Sequence, residues 1–223
     1  MLDWTPFLLS FKLALISTGI LFCICLPLSY AIARTSFKLK PVVEAIISLP
    51  LVLPPSVLGF YMLIMLSPYS FLGAFVEEYF GIRLVFNFTG LVIASCIYSL
   101  PFMFQPLLAG FKTMPSSLVE ASYSLGKSRF KTMLFVALPN IKPSLLTASI
   151  VSFAHTLGEF GVVLMIGGSV GGETKVASIA IYNAVELLDY HLAHIYSAIM
   201  LAISFTVLFL VYFINHKISK NIV

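Results

Sequence analysis

The stretch FTGLVIASCIYSLPFMFQPLLAGF, residues 88–111, contains no charged residue and is long enough to cross the hydrocarbon core of a bilayer as a helix. It is typical of this chain, which has 223 residues, of which 60% are hydrophobic and only 10% are charged. Ordinary soluble domains carry about 25% charged residues. The composition therefore excludes a typical soluble enzyme, a disordered chain and a disulfide-rich secreted scaffold. The net charge of +4 is too small and too dispersed to indicate a nucleic-acid partner.

Four more stretches resemble residues 88–111 in length and apolar character. In chain order, the predicted spans cover residues 7–33, 45–66, 88–111, 143–166 and 193–215. Apolar runs of this length form helices in lipid, whereas barrel strands are shorter and alternate in polarity. The sequence therefore predicts an all-α polytopic membrane protein, a single transmembrane domain over residues 1–223 with about five transmembrane helices.

Basic residues mark one side of the membrane. They follow the first, third and fifth spans, as Arg34, Lys38, Lys40, Lys112, Lys127, Arg129, Lys131, Lys142, Lys217 and Lys220. The two alternate linkers contain only Arg83 and Lys175 as basic residues and are otherwise acidic. The positive-inside rule therefore places the N-terminus outside and the C-terminus in the cytoplasm.

The cytoplasmic linker, residues 112–142, contains helix signals of its own. Ser117 and Glu120 have the spacing of a capping box, which predicts that a short helix starts at Ser117. Gly126 fits the position after a helix end where a positive φ is needed. A second short helix is predicted from about Ser128 until Pro139 interrupts it. These local features alone fit a connecting loop and a docking element equally well.

The same linker resembles the signature of ATP-binding-cassette importer permeases. That signature is Glu-Ala-Ala, three residues, Gly, nine residues and Ile-x-Leu-Pro. Here the chain has Glu120-Ala121-Ser122, then Gly126 at the same spacing, and then Val136-Ala137-Leu138-Pro139. Ser122 and Val136 are the two departures, and both are small changes.

Further segments resemble the molybdate/tungstate branch of that superfamily. They are Leu49–Pro55, Gly81-Ile82, Leu157-Gly158-Glu159-Phe160-Gly161, Gly172-Glu173-Thr174 and Ile181-Tyr182. The similarity extends along essentially the whole chain. Sulfate permeases share much of this pattern, so the resemblance implies a tetrahedral oxyanion and leaves molybdate, tungstate and sulfate as alternatives.

The resemblance implies a fold, an assembly and a location. The fold is that of MetI-like importer permeases, and two copies of the chain form the pore in a bacterial or archaeal plasma membrane. Two cytoplasmic ATP-binding subunits and an extracytoplasmic oxyanion-binding protein complete the importer. The permease itself then has no catalytic site, no cofactor and no metal. The implied ATPase-coupling residues are Leu118, Glu120, Ala121, Tyr123, Leu125, Gly126, Leu138 and Pro139.

Pathway or gate residues are harder to assign from the sequence. Pro54, Pro55 and Ser56 either border the pathway or only kink a packed helix. Ser152 either lines the pore or simply holds packed helices together. Glu159 is the one carboxylate inside a predicted span, and it either caps or pairs at the outer interface or helps form an outer gate. His155, one turn earlier, is expected to be packed and hydrogen-bonded, with a metal or proton-relay pair as the alternative.

Two other function classes fit the sequence less well. Ion-coupled secondary transporters are often built from two similar halves around an ionisable site at the midplane. Five spans do not divide equally, and no acidic residue is predicted at the midplane. An intramembrane enzyme would need paired Asp residues, a Ser/His pair or a zinc motif in its spans, and none is present in the sequence.

Overall fold

The computed structural model describes residues 2–220, which form helices and no strands. The helices are α1 (Thr5–Arg34), α2 (Lys40–Ser48), α3 (Pro55–Leu66), α4 (Phe71–Phe80), α5 (Phe88–Thr113), α6 (Ser116–Ser124), α7 (Arg129–Asn140), α8 (Lys142–Leu157), α9 (Gly161–Gly167), α10 (Ala177–Glu186) and α11 (Tyr190–Lys220). A 3₁₀ turn at Leu49–Leu51 extends α2, and a π-helical turn lies within α7 at Met133–Ala137. The predicted all-α class is confirmed.

Three helices are each long and apolar enough to cross a membrane alone, namely α1, α5 and the Tyr190–Phe209 part of α11. Two further crossings are possible if bent helix pairs are each counted as one span. Residues Lys40–Leu51 meet α3 at an angle of 105°, and α7 meets α8 at 85°. The chain therefore has up to five spans, but two of them are bent.

The second and fourth predicted spans are not single helices. Residues 45–66 are divided at Val52–Pro54, before Pro55 begins α3. Residues 143–166 are divided after Leu157, where α8 ends, and α9 resumes at Gly161. The physical reason is the same in both places, because proline and glycine have the lowest helix propensities of all residues in a helix interior.

Helix α5 lies at the centre of the fold, where it packs against α1, α8 and α9. Its fully buried side chains include Leu91, Met103, Phe104, Leu107 and Phe111. Burial of such side chains stabilises the chain by about 1.5–3 kcal/mol each in water, and in lipid the same close packing is held by dispersion contacts.

The basic ends of the helices lie together at one end of the fold. One guanidinium nitrogen of Arg34, at the end of α1, donates to the carbonyl oxygen of Met114 at 3.1 Å. The Lys112 ammonium at the end of α5 pairs with the Glu44 carboxylate of α2 at 3.0 Å. This clustering agrees with one cytoplasmic side. The side chains of Lys217 and Lys220 lie outside the described part of the chain.

The exposed faces of α1 and α11 are mostly apolar, and the exposed basic side chains that the structure describes there, Lys12, His191 and His194, lie in the N-terminal halves of the two helices. Their large exposed side chains include Leu8, Leu15, Ile24, Leu201, Phe205 and Phe209. The apolar parts of these faces match lipid tails. Helices α5, α8 and α2 together present a more polar surface, which is described below.

Candidate functional site

The two predicted spans that the structure divides, residues 45–66 and 143–166, touch each other through helices α3 and α9. A Cβ atom placed on Gly161 would lie 2.8 Å from the Cβ atom of Pro55. Real Cβ atoms do not approach one another so closely, so the glycine lets the two backbones pack directly. We call this contact, between residues 54–59 and 158–165, the crossing. It joins the proline motif of the second span to the Gly-Glu-Phe-Gly motif of the fourth.

The proline side of the crossing is open. Neither Pro54 nor Pro55 has an N–H group, so the carbonyl groups of Pro50 and Leu51 have no helical donor four residues ahead. Pro54, Pro55 and Ser56 are exposed in the single chain. An exposed helix break is tolerated at membrane depth only where it is covered by protein or lines a water-filled cavity. The position of these residues therefore fits the expected pathway border.

Glu159 lies in the break between α8 and α9, not inside a helix. Its side chain is only 4% exposed, and neither carboxylate oxygen has a hydrogen-bond partner within the described residues. Its backbone carbonyl oxygen accepts a hydrogen bond from the Ser178 hydroxyl at 2.7 Å, which attaches the break to α10. Within the described residues the carboxylate therefore neither caps nor pairs, and its role in an outer gate stays a prediction.

Ser152 is buried in α8, away from the open surface. Its hydroxyl has no hydrogen-bond partner within the described chain. Helix α8 packs there against α1 and α5. Of the two roles considered for Ser152, the position fits close helix packing better than pore lining.

A hydrogen-bonded histidine connects α5 with α8. The Ser99 hydroxyl lies 2.9 Å from Nδ1 of His155 and 2.8 Å from the Thr156 hydroxyl. The imidazole stacks on the Phe102 ring at a centroid distance of 3.8 Å and meets the Tyr98 ring edge-on at 4.7 Å. This matches the expected packed histidine, and it corrects the expectation that the predicted spans contain no Ser/His pair, because Ser99 and His155 lie on different helices and meet only in the fold. The sequence signal for Ser99 was weak, because its partner lies 56 residues away.

A second polar link lies on the same side of α5. The Gln105 amide donates to the Ser48 hydroxyl at 2.5 Å, and Ser48 in turn donates to the carbonyl oxygen of Glu44 at 2.7 Å. Tyr98, Phe102, Gln105 and His155 are all half-buried in the single chain. We call these four side chains the polar face. Helix α1 exposes no amide or imidazole, and the exposed imidazoles on the described part of α11, His191 and His194, lie within its first five residues.

Residues 115–126, which we call the coupling segment after its predicted role, form a compact projection built on α6. Gly126 has φ +72°, its N–H donates to the Tyr123 carbonyl at 2.8 Å, and the Lys127 N–H donates to the Ser122 carbonyl at 3.1 Å. This is the Schellman end that the sequence predicts. The Ser122 hydroxyl also bonds Thr132 of α7 at 2.9 Å, which explains a hydroxyl at the third motif position.

The predicted capping box is wrong. Helix α6 begins at Ser116 after Pro115, whose side chain cannot cap it. Ser117 is therefore already inside the first turn, and its hydroxyl cannot reach the Glu120 amide as a cap would. The second predicted helix ends one residue later than expected, because α7 continues past Pro139 to Asn140 before the 85° bend into α8. A π-helical turn ends immediately before Leu138 and Pro139.

The coupling segment exposes apolar side chains at the end of the fold where Arg34 lies. Leu118 and Tyr123 are partly exposed, and Leu125 is 78% exposed, whereas Val119 is buried against the bundle. Glu120, Ala121 and Pro139 are exposed, and Leu138 is half-buried. A groove of about 600 Å³ separates α6 from α7 and is lined by Leu118, Ala121, Ser122, Leu125, Lys127, Lys131, Phe135 and Val136.

Possible metal ligands are scattered. Within residues 2–220 no three His, Cys, Asp or Glu side chains are grouped as a metal site. The imidazole of His155 is bonded to Ser99, as described above, and not to a carboxylate.

Solved importer structures share this fold. A chain of the MetNI methionine ABC transporter, from a structure in inward facing conformations, superposes with a TM-score of 0.73 at 18% identity and covers 95% of this chain and 94% of its own. A chain of a bacterial ABC transporter for the acidic polysaccharide alginate gives 0.74 at 17% identity, covering 96% and 80%. At these identities the likeness establishes the fold and not the substrate.

Related sequences cover nearly the whole chain. The molybdenum transport system permease protein ModB of Azotobacter vinelandii is 40% identical over 94% of this chain and 93% of its own length. The putative molybdenum transport permease YvgM of Bacillus subtilis is 37% identical over 93% and 92%. A probable sulfate transport permease, cysT of Chlorella vulgaris, is 33% identical over 82% and 69%.

The family model covers the broken spans, the polar face and the coupling segment alike. It describes the binding-protein-dependent transport system inner membrane component and matches residues 24–221. With that match, the shared fold and the identity to permeases along the chain, this protein is a member of the binding-protein-dependent transport inner-membrane component family, a multi-pass membrane subunit of a transport system.

Proposed function

We propose that this chain is the permease subunit of an ATP-driven importer of a tetrahedral oxyanion, and that the oxyanion is molybdate. The observation that carries the proposal is the 40% identity to a molybdenum permease across 94% of this chain and 93% of the relative. The sulfate permease of Chlorella vulgaris is less similar and is matched over less of its length. Sulfate or tungstate is therefore the alternative substrate.

Competition of oxyanions for uptake tests the substrate. Membrane vesicles containing the permease, its ATP-binding subunit and its binding protein should accumulate labelled molybdate when ATP is supplied. A tenfold excess of unlabelled molybdate should abolish the signal, and an equal excess of sulfate should leave most of it. Stronger competition by sulfate than by molybdate would replace molybdate with sulfate as the substrate. ATP-independent uptake driven by an ion gradient would contradict the importer itself.

The permease should act as two copies around a two-fold axis. Five spans are too few to enclose an oxyanion path and also shield it from lipid. The exposed break at Pro54–Ser56 and the polar face need a covering that lipid does not supply. An isologous dimer would enclose both on a path between the two copies, away from lipid.

Cysteine crosslinking tests the dimer. Ser56→Cys, made in a Cys23→Ser background because Cys23 is exposed, should give a disulfide or a short maleimide crosslink between two copies in the membrane. Thr206→Cys is the matched control, because it is exposed on the lipid-facing helix α11 and should stay monomeric. Equal crosslinking at both positions would indicate random collision and would contradict a specific interface at the break.

The remaining partners follow from the family and from the surface of the coupling segment. Two cytoplasmic ATP-binding subunits would each receive one coupling segment, through exposed Leu118, Tyr123 and Leu125. An extracytoplasmic oxyanion-binding protein would deliver the substrate to the opposite side. The predicted spans contain no arginine that could form a strong fixed anion site, which suits a path supplied by a separate receptor. The relatives from Azotobacter and Bacillus support a bacterial or archaeal plasma membrane.

A further inference from the structure

The polar face contains two neutral hydrogen-bond donors that the fold itself does not use. Within residues 2–220, neither Nε2 of His155 nor the hydroxyl of Tyr98 has a hydrogen-bond partner, although the two rings lie 4.7 Å apart. Both side chains are half-buried, so their polar atoms are accessible from one side of the single chain. A donor at membrane depth that faced lipid would be left unsatisfied at considerable cost.

The hydrogen-bond chain behind His155 decides which ring nitrogen carries the proton. Thr156 is buried, and its hydroxyl has no partner in the described chain other than Ser99. If Thr156 donates to Ser99, the Ser99 proton points to Nδ1 of His155, and every hydroxyl proton in the chain is used. The opposite direction would leave the buried Thr156 proton unpaired, which is unfavourable. The favoured neutral imidazole therefore carries its proton on Nε2, the nitrogen that is free.

The neighbouring rings fix the direction of that donor. Phe102 stacks on the imidazole with 24° between the ring planes, and Tyr98 meets it at 63°. Ser99 fixes the opposite edge of the imidazole ring. With three contacts the imidazole cannot rotate freely, so its Nε2–H is pre-oriented toward the open side of the polar face. Pre-orientation is what a donor to a passing ligand requires.

We propose that His155 donates its Nε2–H, beside the Tyr98 hydroxyl, to the oxyanion as it passes through the permease. This inference rests on the proposed function. Two neutral donors suit a substrate with several equivalent acceptor oxygens that must be bound briefly and released. A lysine or arginine in this position would hold a dianion more strongly, because charge-assisted hydrogen bonds are roughly twice as strong as neutral ones. Ser99 acts through His155 and is a positioning residue.

Substitutions at His155 separate donation from packing. The side-chain amide nitrogen of His155→Gln lies close to the position of the imidazole Nε2, but the stacked ring is lost. His155→Phe keeps an aromatic ring against Phe102 and Tyr98 but removes the donor. Donation predicts that the Gln variant transports better than the Phe variant. A packing role predicts the reverse order.

The experiment measures ATP-driven uptake of labelled molybdate by the complete transporter in vesicles. We expect the maximal rate to fall at least tenfold in His155→Phe and less than threefold in His155→Gln, with half-saturation unchanged because the binding protein sets it. ATPase co-purification should be equal in both variants, which shows that they are assembled. Ser99→Ala should give an intermediate rate.

The outcomes separate this inference from the proposed function. If the unaltered protein takes up molybdate and the Phe variant matches or exceeds the Gln variant, His155 is a packing residue and the inference is wrong. If the unaltered transporter takes up sulfate in place of molybdate, the same variant order measured with sulfate still supports the donor. If the unaltered protein transports no oxyanion, the proposed function fails and this inference fails with it.

Discussion

Replacing Gly126 with Val will lower ATP-driven uptake by roughly tenfold while the protein remains inserted in the membrane. Gly126 has φ +72°, and nothing lies within 4 Å of a Cβ atom built there, so the substitution introduces backbone strain without a clash. A left-handed conformation costs a β-branched residue about 1–2 kcal/mol. If the turn relieves this strain by moving, docking weakens about tenfold for each 1.4 kcal/mol. Vesicle uptake and co-purification of the ATP-binding subunit measure both effects.

Gly126→Asn is the matched control for the Val variant. Asparagine also adds a side chain but tolerates the left-handed conformation. The backbone strain of the Asn variant should therefore be smaller than that of the Val variant. We expect its uptake to stay within about threefold of the unaltered protein. If Asn and Val behave alike, the turn geometry at Gly126 does not control coupling. If both variants transport normally, the segment is only a connecting loop.

Glu120→Ala distinguishes a docking contact from a structural role within the same segment. Helix α6 does not use the Glu120 carboxylate as a cap, and within residues 2–220 this exposed side chain has no hydrogen bond. Its removal should therefore leave the helix intact. Loss of ATPase association in this variant would report a direct contact with the partner, whereas full association would remove Glu120 from the coupling surface.

Replacing Gly161 with Val will abolish uptake, because it forces the crossing of the two broken spans apart. The added Cβ would lie 2.8 Å from the Pro55 Cβ, inside the closest approach of two carbons, and the two further methyl groups increase the overlap. Overpacking typically costs about 1–3 kcal/mol in a well-packed interior. We expect the loss in transport assays, with membrane insertion and ATPase association retained.

Gly158→Ala provides the control for that variant. Gly158 lies in the same break, but a Cβ atom there would meet only the carbonyl oxygens of Ala154 at 3.7 Å and His155 at 3.9 Å, which are ordinary contacts. Uptake should be close to that of the unaltered protein. Pro55→Gly, which removes the opposing Cβ atom, should partly restore a milder Gly161→Ala variant. Normal transport by Gly161→Val would show that the crossing can separate without cost.

The membrane class and the central helices could be predicted because they depend on composition and length. The predicted spans 7–33, 88–111 and 193–215 lie within the continuous helices α1, α5 and α11. An apolar run that crosses lipid must satisfy its own backbone, and only a helix does so within one segment. No knowledge of neighbouring segments is needed for that inference.

The coupling segment was predicted in part. Gly126 at a helix end follows from local backbone energetics, and the structure gives it a positive φ. The cap at Ser117 was wrong because Pro115 fixes the start of α6 one residue earlier. Pro115 and the spacing of Ser117 and Glu120 predict different first residues for this helix, and the sequence pattern does not show which of the two prevails.

The sequence by itself determined an all-helical membrane permease, the location of its basic side and the family to which its cytoplasmic motif belongs. Only the tertiary structure decided that Pro55 meets Gly161, that Glu159 is buried without a partner and that Ser99 holds His155. The physical reason is the range of the interactions. Span formation and turn geometry depend on consecutive residues, whereas each of these contacts joins different helices whose bends and packing set the distance.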